Sequence, residues 1–204
     1  MSNVNLINPN TFGIKSNSIW WASQEAKDDY NVTEDELKKA GITSTVILID
    51  KSLISPLKKV NAELANYNLE IEIDDGFRSP ELYYLASLKV AQKKGTAASA
   101  SLFNLDKMPH SSGKSIDVAL VNTVTRNREV LFDKSDGVAA SFLGFYDKFE
   151  DIKSQNKVKF QKLLGAIMLS NNFEYGTKNE VWHFDYVGEI PLYDTNTTQI
   201  PSNG

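Results

Sequence analysis

Apolar and polar residues alternate most regularly over residues 69–74, where Leu69, Ile71 and Ile73 are separated by acidic residues. This period of two predicts a β-strand with one buried face. A β-branched apolar run at 46–49 predicts a buried strand, and residues 118–121 predict another. Two further short strands are expected at 173–175 and 181–187.

Apolar residues recur at helical spacing in several other segments, which predicts helices there. These segments are 53–67, 80–94 and 153–170. A capping box that begins at Thr33 predicts a short helix ending at Gly41. A helix is also expected around 139–149, whereas the small residues of 96–109 predict a long loop.

These elements predict an α+β fold formed by a single domain over residues 1–204. A small antiparallel sheet would carry the functional site, and helices would pack on its other face. Residues 1–30 are expected to form an irregular N-terminal arm and residues 194–204 a loose tail. Trp20 and Trp21 are the apolar anchor of the arm, and they either pack on the domain or line a substrate cleft.

Composition restricts the classes of function. The chain of 204 residues has a formal net charge of −4 and no basic stripe, so no nucleic-acid partner is expected. Nothing approaches the apolar length of a membrane span. The N-terminus lacks the apolar segment of an export signal, which favours a cytoplasmic protein, or a periplasmic one whose signal has been removed. The sequence leaves the oligomeric state open.

The two histidines of the chain, His110 and His183, are the candidate metal ligands. Asp117 follows His110 by seven positions, and Gly113 between them permits a tight bend. Because the chain has no cysteine, a zinc site must use nitrogen and oxygen ligands, and a catalytic site uses three. His110, Asp117 and His183 could form such a site, although a lone histidine is more often a surface or core residue.

Two further residues suggest catalysis. Glu180 lies three positions before His183, where a carboxylate could take a proton from a metal-bound water. Arg78 lies between a strand end and a helix start, where it could stabilise an oxyanion or bind a substrate carboxylate. The alternatives are a strand-end surface acid for Glu180 and a surface or ion-paired residue for Arg78.

Three segments together resemble the zinc D-alanyl-D-alanine dipeptidases and D,D-carboxypeptidases, the family that includes the dipeptidases of vancomycin resistance. The segments are Met108-Pro-His110-Ser-Ser-Gly113-Lys-Ser115-Ile-Asp117, Asp75-Gly-Phe77-Arg78-Ser-Pro80 and Glu180-Val-Trp-His183. They occur in the family's order and spacing, and the resemblance covers about residues 45–190. The family has Ser where this chain has Met108, Ala at Ser115 and Tyr at Phe77.

The resemblance implies that one zinc ion per chain is bound by His110, Asp117 and His183. It implies that Glu180 is the general base and acid, that Arg78 stabilises the transition state, and that a small D-peptide such as D-Ala-D-Ala is the substrate. The implied substrate-binding residues are Phe77 and, for the amino terminus, Asp133 or Asp136. The alternatives are a peptidoglycan D,D-carboxypeptidase or L,D-endopeptidase, and a zinc-binding domain without turnover.

Overall fold

A computed structural model describes residues 5–22, 32–176 and 179–188, and it confirms the α+β class. The strands, in chain order, are β1 (Leu6–Ile7), β2 (Lys15–Ser16), β3 (Ile49–Asp50), β4 (Leu69–Asp75), β5 (Ser115–Asn122), β6 (Phe173–Tyr175) and β7 (His183–Tyr186). The α-helices are α1 (Ile19–Ala22), α2 (Glu34–Lys39), α3 (Ile54–Leu64), α4 (Pro80–Lys94), α5 (Thr96–Leu102) and α6 (Ile152–Ser170). In the described ranges, no helix combines the length and apolar character needed to span a membrane.

The larger sheet has the strand order β2-β4-β5-β7-β6. Strand β2 runs parallel to β4, and the other neighbouring pairs in this sheet are antiparallel. A second sheet pairs β1 with β3. The predicted antiparallel sheet therefore corresponds to four strands, with β2 added at the edge by the N-terminal arm.

One face of the larger sheet packs on α3 and α6, and this packing forms the main core. Ile71 and Ile73 of β4 are fully buried there, as the alternating pattern predicts. Leu57, Val60 and Leu64 cover them from α3, and Leu164 and Met168 from α6. The opposite face of the sheet carries the acidic residues of β4 and the candidate metal ligand Asp117.

A second core lies beside the C-terminal end of β4. It joins Trp20 of α1 and Leu37 of α2 to the buried residues of α4 and to Phe103. Two serines also link α4 to α5, with the hydroxyl oxygens of Ser87 and Ser99 2.8 Å apart. The short elements within residues 5–22 of the predicted irregular arm therefore take part in the packing, whereas the predicted tail at 194–204 lies outside the described residues.

Two predicted segments differ from the structure. Residues 96–102 form helix α5, because their alanines are strong helix formers even without long apolar side chains. The helix predicted around 139–149 is replaced by short 3₁₀ turns at Val138–Ser141 and Tyr146–Lys148. Gly144 between them has a φ of +84°, a left-handed conformation that interrupts a right-handed helix.

Two strands differ from their predicted limits. Only Ile49 of the apolar run 46–49 belongs to a strand, and Val46 and Leu48 are exposed rather than buried. Strand β5 begins at Ser115 instead of 118, because its first residues pair with β7. Asp117 consequently lies within the sheet, where its backbone is fixed on both sides.

The core of the larger sheet provides a first prediction. Replacing the fully buried Leu120 with alanine should lower the free energy of unfolding by about 2–5 kcal/mol, because it removes apolar contacts and leaves a cavity. Leu88→Ala, on the exposed side of α4, should change it by no more than about 0.5 kcal/mol. Urea unfolding followed by circular dichroism measures both, and equal effects would contradict this description of the core.

Candidate metal centre

The sheet places two of the predicted ligands side by side. Asp117 of β5 is directly opposite His183 of β7 in the antiparallel register, so both side chains project from the same face. His110 lies in the 3₁₀ turn Pro109–Ser112, just before β5. Gly113 ends this turn with a φ of +71°, and the bend returns the chain to the sheet close to Asp117.

Hydrogen bonds orient both imidazole rings. Nδ1 of His110 is 2.8 Å from the carbonyl oxygen of Gly76, which can only accept, so Nδ1 carries the hydrogen. Nε2 of His183 is 3.1 Å from a carboxylate oxygen of Asp185, so this nitrogen is also the donor. In their neutral forms the rings therefore direct the lone pairs of His110 Nε2 and His183 Nδ1 away from these partners.

Both lone pairs converge on the Asp117 carboxylate. Oδ1 of Asp117 is 2.8 Å from His183 Nδ1 and 3.5 Å from His110 Nε2, and the two nitrogens are 3.2 Å apart. Three acceptor atoms so close together repel one another unless a proton or a cation lies between them. The buried cluster of His110, Asp117 and His183 could therefore hold a metal ion.

The electrostatics of the cluster favour positive charge at the same point. Burial acts to raise the pKa of Asp117, but the charge of His110 and hydrogen bonds from both imidazoles outweigh it and hold this pKa well below its usual value. Burial acts to lower the pKa of His183, but hydrogen bonds to Asp117 and Asp185 raise it to about 10. The carboxylate is therefore ionised. Without a metal ion, the cation that it stabilises is the imidazolium of His183, whose Nδ1 hydrogen points at Asp117, and a bound metal ion would replace this proton.

Residues behind the ligands complete the site, and the sequence analysis missed them. Asp185 lies two positions after His183 on the same face of β7, so the period of two could have indicated it. Tyr83 of α4 accepts a hydrogen bond from the backbone N–H of His110, with an N···O distance of 2.9 Å. No local pattern connects Tyr83 with His110, because only the packing of α4 on the turn brings them together.

Gly176 fits tightly against His183. A methyl group on Gly176 would lie 2.2 Å from Cδ2 and 2.7 Å from Nε2 of the imidazole ring. The absence of a side chain at Gly176 therefore gives the ring the space in which Nε2 reaches Asp185 and Nδ1 faces Asp117.

The backbones of the two predicted catalytic residues are each hydrogen-bonded to that of a candidate ligand. The carbonyl oxygen of Glu180 accepts a hydrogen bond from the backbone N–H of His183, so the two residues share one turn. Glu180 is half-buried, and it forms a backbone bridge with Phe142. The backbone of Arg78 is hydrogen-bonded to that of His110, with an N···O distance of 3.2 Å. The side chain of Arg78 is buried and pairs with Asp75.

The predicted substrate-binding residues lie in two other places. Asp133 and Asp136 line a cavity of about 360 Å³ together with Tyr146 and Lys157. Within it, Asp136 accepts a hydrogen bond from Tyr146 and pairs with Lys157. Phe77 lines a separate cavity of about 330 Å³ beside residues 40–48. Neither cavity is lined by His110, Asp117 or His183, so the substrate-binding roles of Phe77, Asp133 and Asp136 remain predictions.

The fold and the cluster together define an α+β protein with a candidate metal site of two histidines and one aspartate. No model of a protein family matches the chain, and no curated protein that was compared with it matches either.

Metal binding itself is the second testable property. The protein incubated with Zn²⁺ and then dialysed should retain about one ion per chain, measured by elemental mass spectrometry. His183→Ala should weaken zinc binding by more than about 10–100-fold. That range is the cost of losing a hydrogen-bond partner behind a ligand, whereas this change removes the proposed ligand itself. Glu174→Ala, an exposed change on β6, is the control. Stoichiometric metal in the His183 variant would exclude His183 as a ligand.

Gly176 allows a sharper test of ring position. Gly176→Ala should displace the His183 ring and weaken metal binding by about 10–100-fold. Gly165→Ala is a matched control, because a methyl group there would meet the hydroxyl of Tyr175 rather than a ligand. The control should lose stability and keep its metal affinity. Equal affinities of the two variants, measured by competition with a chelator, would disprove the role of Gly176.

Proposed function

We propose that the protein is a zinc metallopeptidase that hydrolyses D-alanyl-D-alanine or a closely related short D-residue peptide. The observation that carries the proposal is the convergence of three acceptor atoms from His110, Asp117 and His183. The family resemblance of the three sequence segments provides the substrate class, and Glu180 and Arg78 provide the groups for hydrolysis.

The separations of the ligand atoms support zinc. Metal–ligand distances of about 2.0–2.1 Å around a tetrahedral ion place neighbouring ligand atoms about 3.3 Å apart. The observed separations of 2.8, 3.2 and 3.5 Å lie on both sides of this value. A donor set of two imidazoles and one carboxylate suits zinc and leaves a fourth position for water or substrate. When bound, zinc would polarise the scissile carbonyl and activate a water molecule.

In this mechanism Glu180 takes the proton of the attacking water and then transfers it to the leaving amine. Its place in the same turn as His183 supports this role, because the backbone of Glu180 is hydrogen-bonded to that of a candidate ligand. The strand register fixes the direction of side chains within the sheet, and Glu180 is not one of these residues. Glu180 lies just outside β7, where its side chain is half-buried.

Arg78 stabilises the negative charge that develops on the substrate oxygen. Arg78 is 8% exposed, and its Nε–H has no hydrogen-bond partner within the described part of the chain. Burial acts to lower the pKa of Arg78, but the charges of Asp75 and Asp117 raise it above the usual value. Asp75, which pairs with Arg78, is directly opposite Asp117 in the sheet, and this register supports a role for Arg78 near the candidate ligands.

Burial of the ligands favours a short substrate. His110 is 3% and His183 7% exposed, so a bulky wall polymer would have little access to them. Met108, where the family has serine, is partly buried against the second core and offers no hydroxyl to a substrate. The residues proposed for zinc binding and hydrolysis therefore match the family pattern, whereas the substrate-binding position at Met108 departs from it.

The direct test offers the zinc-loaded protein free D-Ala-D-Ala, a pentapeptide ending in D-Ala-D-Ala, and whole peptidoglycan. L-Ala-L-Ala is the stereochemical control, and released alanine is measured. Cleavage of the free D-dipeptide alone supports the proposal. Release from the pentapeptide or from peptidoglycan would identify a carboxypeptidase or endopeptidase instead. Stoichiometric zinc without cleavage of any of these substrates would indicate a binding domain.

The role of Glu180 is tested by the isosteric change Glu180→Gln. We expect unchanged fold and zinc content and a decrease in kcat of about 10²–10⁴-fold, because the amide cannot accept the proton. Glu174→Gln, an exposed change of the same type on β6, should retain full activity. Turnover of the Glu180 variant close to that of the unchanged protein would remove Glu180 from the mechanism.

A further inference from the structure

Three aromatic rings surround the guanidinium of Arg78 at the end of β4. Its central carbon lies 4.7 Å from the ring centroid of Tyr83, 5.2 Å from that of Trp20 and 5.9 Å from that of Phe103. Contacts of this kind stabilise an arginine electrostatically and restrict its movement. Because ring contacts of this kind are not hydrogen bonds, the orientation of the guanidinium N–H groups depends on a separate acceptor.

Asp75 accepts a hydrogen bond from Arg78, and Trp20 donates a hydrogen bond to Asp75. Oδ2 of Asp75 accepts one hydrogen bond from the guanidinium of Arg78 and a second from the indole N–H of Trp20, at 2.8 Å. The other oxygen, Oδ1, accepts from the backbone N–H of Gly76. With three donors on a buried carboxylate, the orientation of Asp75 is determined, and the orientation of Arg78 follows from it.

A bulge in β4 brings Asp75 to the face of the sheet that carries the metal ligands. The register shifts between Ile73 and Asp75, so that Ile73 is opposite Val118 while Asp75 is opposite Asp117. The extra residue breaks the regular alternation, as bulges beside functional sites often do. Asp75 therefore stands next to Asp117 on the same face.

The same short segment also contacts the metal-ligand turn. The carbonyl of Gly76 accepts from His110, and the backbone N–H of Arg78 donates to the carbonyl of His110. The hydroxyl of Ser111 donates to the carbonyl of Arg78, with an O···O distance of 2.7 Å. A displacement of Arg78 would therefore also displace His110, and a displacement of His110 would displace Arg78.

The N-terminal arm places Trp20 next to the segment 75–78. Strand β2 pairs in parallel with β4, with Ser16 opposite Ile73, so both chains run toward the same end of the sheet. The hydrogen bond from Asn17 to the carbonyl of Ile73 continues this pairing. Trp20, four residues beyond Ser16, then reaches Asp75 and is 3% exposed.

We propose that Trp20 is a positioning residue, whose indole N–H fixes the Asp75 carboxylate and thereby orients Arg78 toward the metal centre. The N-terminal arm is then a part of the site, although it contributes no metal ligand. The catalytic consequence of this inference rests on the proposed function, whereas its structural part does not.

The test uses Trp20→Phe, which keeps an aromatic ring near Arg78 and removes the N–H donor. We expect kcat for the best peptide substrate to fall by about 10–100-fold, with KM changed by less than about twofold and zinc content unchanged. In an Arg78→Ala background the same change should have no further effect on kcat, because both act through the guanidinium. Tyr84→Phe, an exposed change on α4, is the control.

A measurement without substrate separates the two proposals. The Nε–H signal of Arg78, assigned by its loss in Arg78→Lys, should exchange slowly with solvent in the unchanged protein. Trp20→Phe should accelerate this exchange by about tenfold or more. If the unchanged protein cleaves no peptide, the proposed function fails, but the exchange rates still test the positioning role.

Asp75→Asn provides a second route to the same result if Trp20→Phe does not fold. The amide keeps the volume of the side chain and removes its charge, so Arg78 should again exchange faster. Unchanged exchange rates in the folded variants would overturn the inference. So would a loss of kcat that simply adds to that of Arg78→Ala, because Trp20 would then act by another path.

Discussion

The structure of the site depends on three nitrogen and oxygen atoms held within 3.5 Å of one another, which repel one another unless a proton or a cation lies between them. The cross-strand pair of Asp117 and His183 provides two of them, and the turn before β5 provides the third from His110. Packing of the sheet on α3 and α6 holds the two strands together regardless of this repulsion. The fold therefore maintains an arrangement that a bound cation would stabilise.

The hydrogen-bond partners of the two imidazoles determine which nitrogen of each ring could bind a metal ion. Because the Gly76 carbonyl and Asp185 accept hydrogens from the two imidazoles, the remaining nitrogens are available as ligands. Gly76 also has no room for a side chain, since a methyl group there would lie 2.5 Å from the carbonyl oxygen of Leu48. Its close packing fixes the carbonyl that orients His110 and links the metal site to Arg78.

The residues named from the sequence divide into three groups according to what determines their positions. The short spacing of His110 and Asp117 around a glycine turn is a local property, whereas His183 joins them through the pairing of β5 with β7. Glu180 lies beside His183 because the two are three positions apart, whereas Arg78 reaches His110 through a backbone hydrogen bond between distant segments. The catalytic roles of both residues rest on the proposal. Asp133 and Asp136 lie in a loop of short 3₁₀ turns, whose path depends on contacts that no periodic pattern encodes.

Local sequence patterns were enough to predict the α+β class, the buried face of β4, the principal helices and the three candidate ligand residues. These features depend on short-range periodicity, capping and residue chemistry. The packing of the folded chain established that Gly176 makes room for His183, that a bulge turns Asp75 toward Asp117, and that Trp20 reaches Asp75. Each of these contacts joins segments whose approach depends on the packing of the complete fold, so local sequence patterns do not predict them.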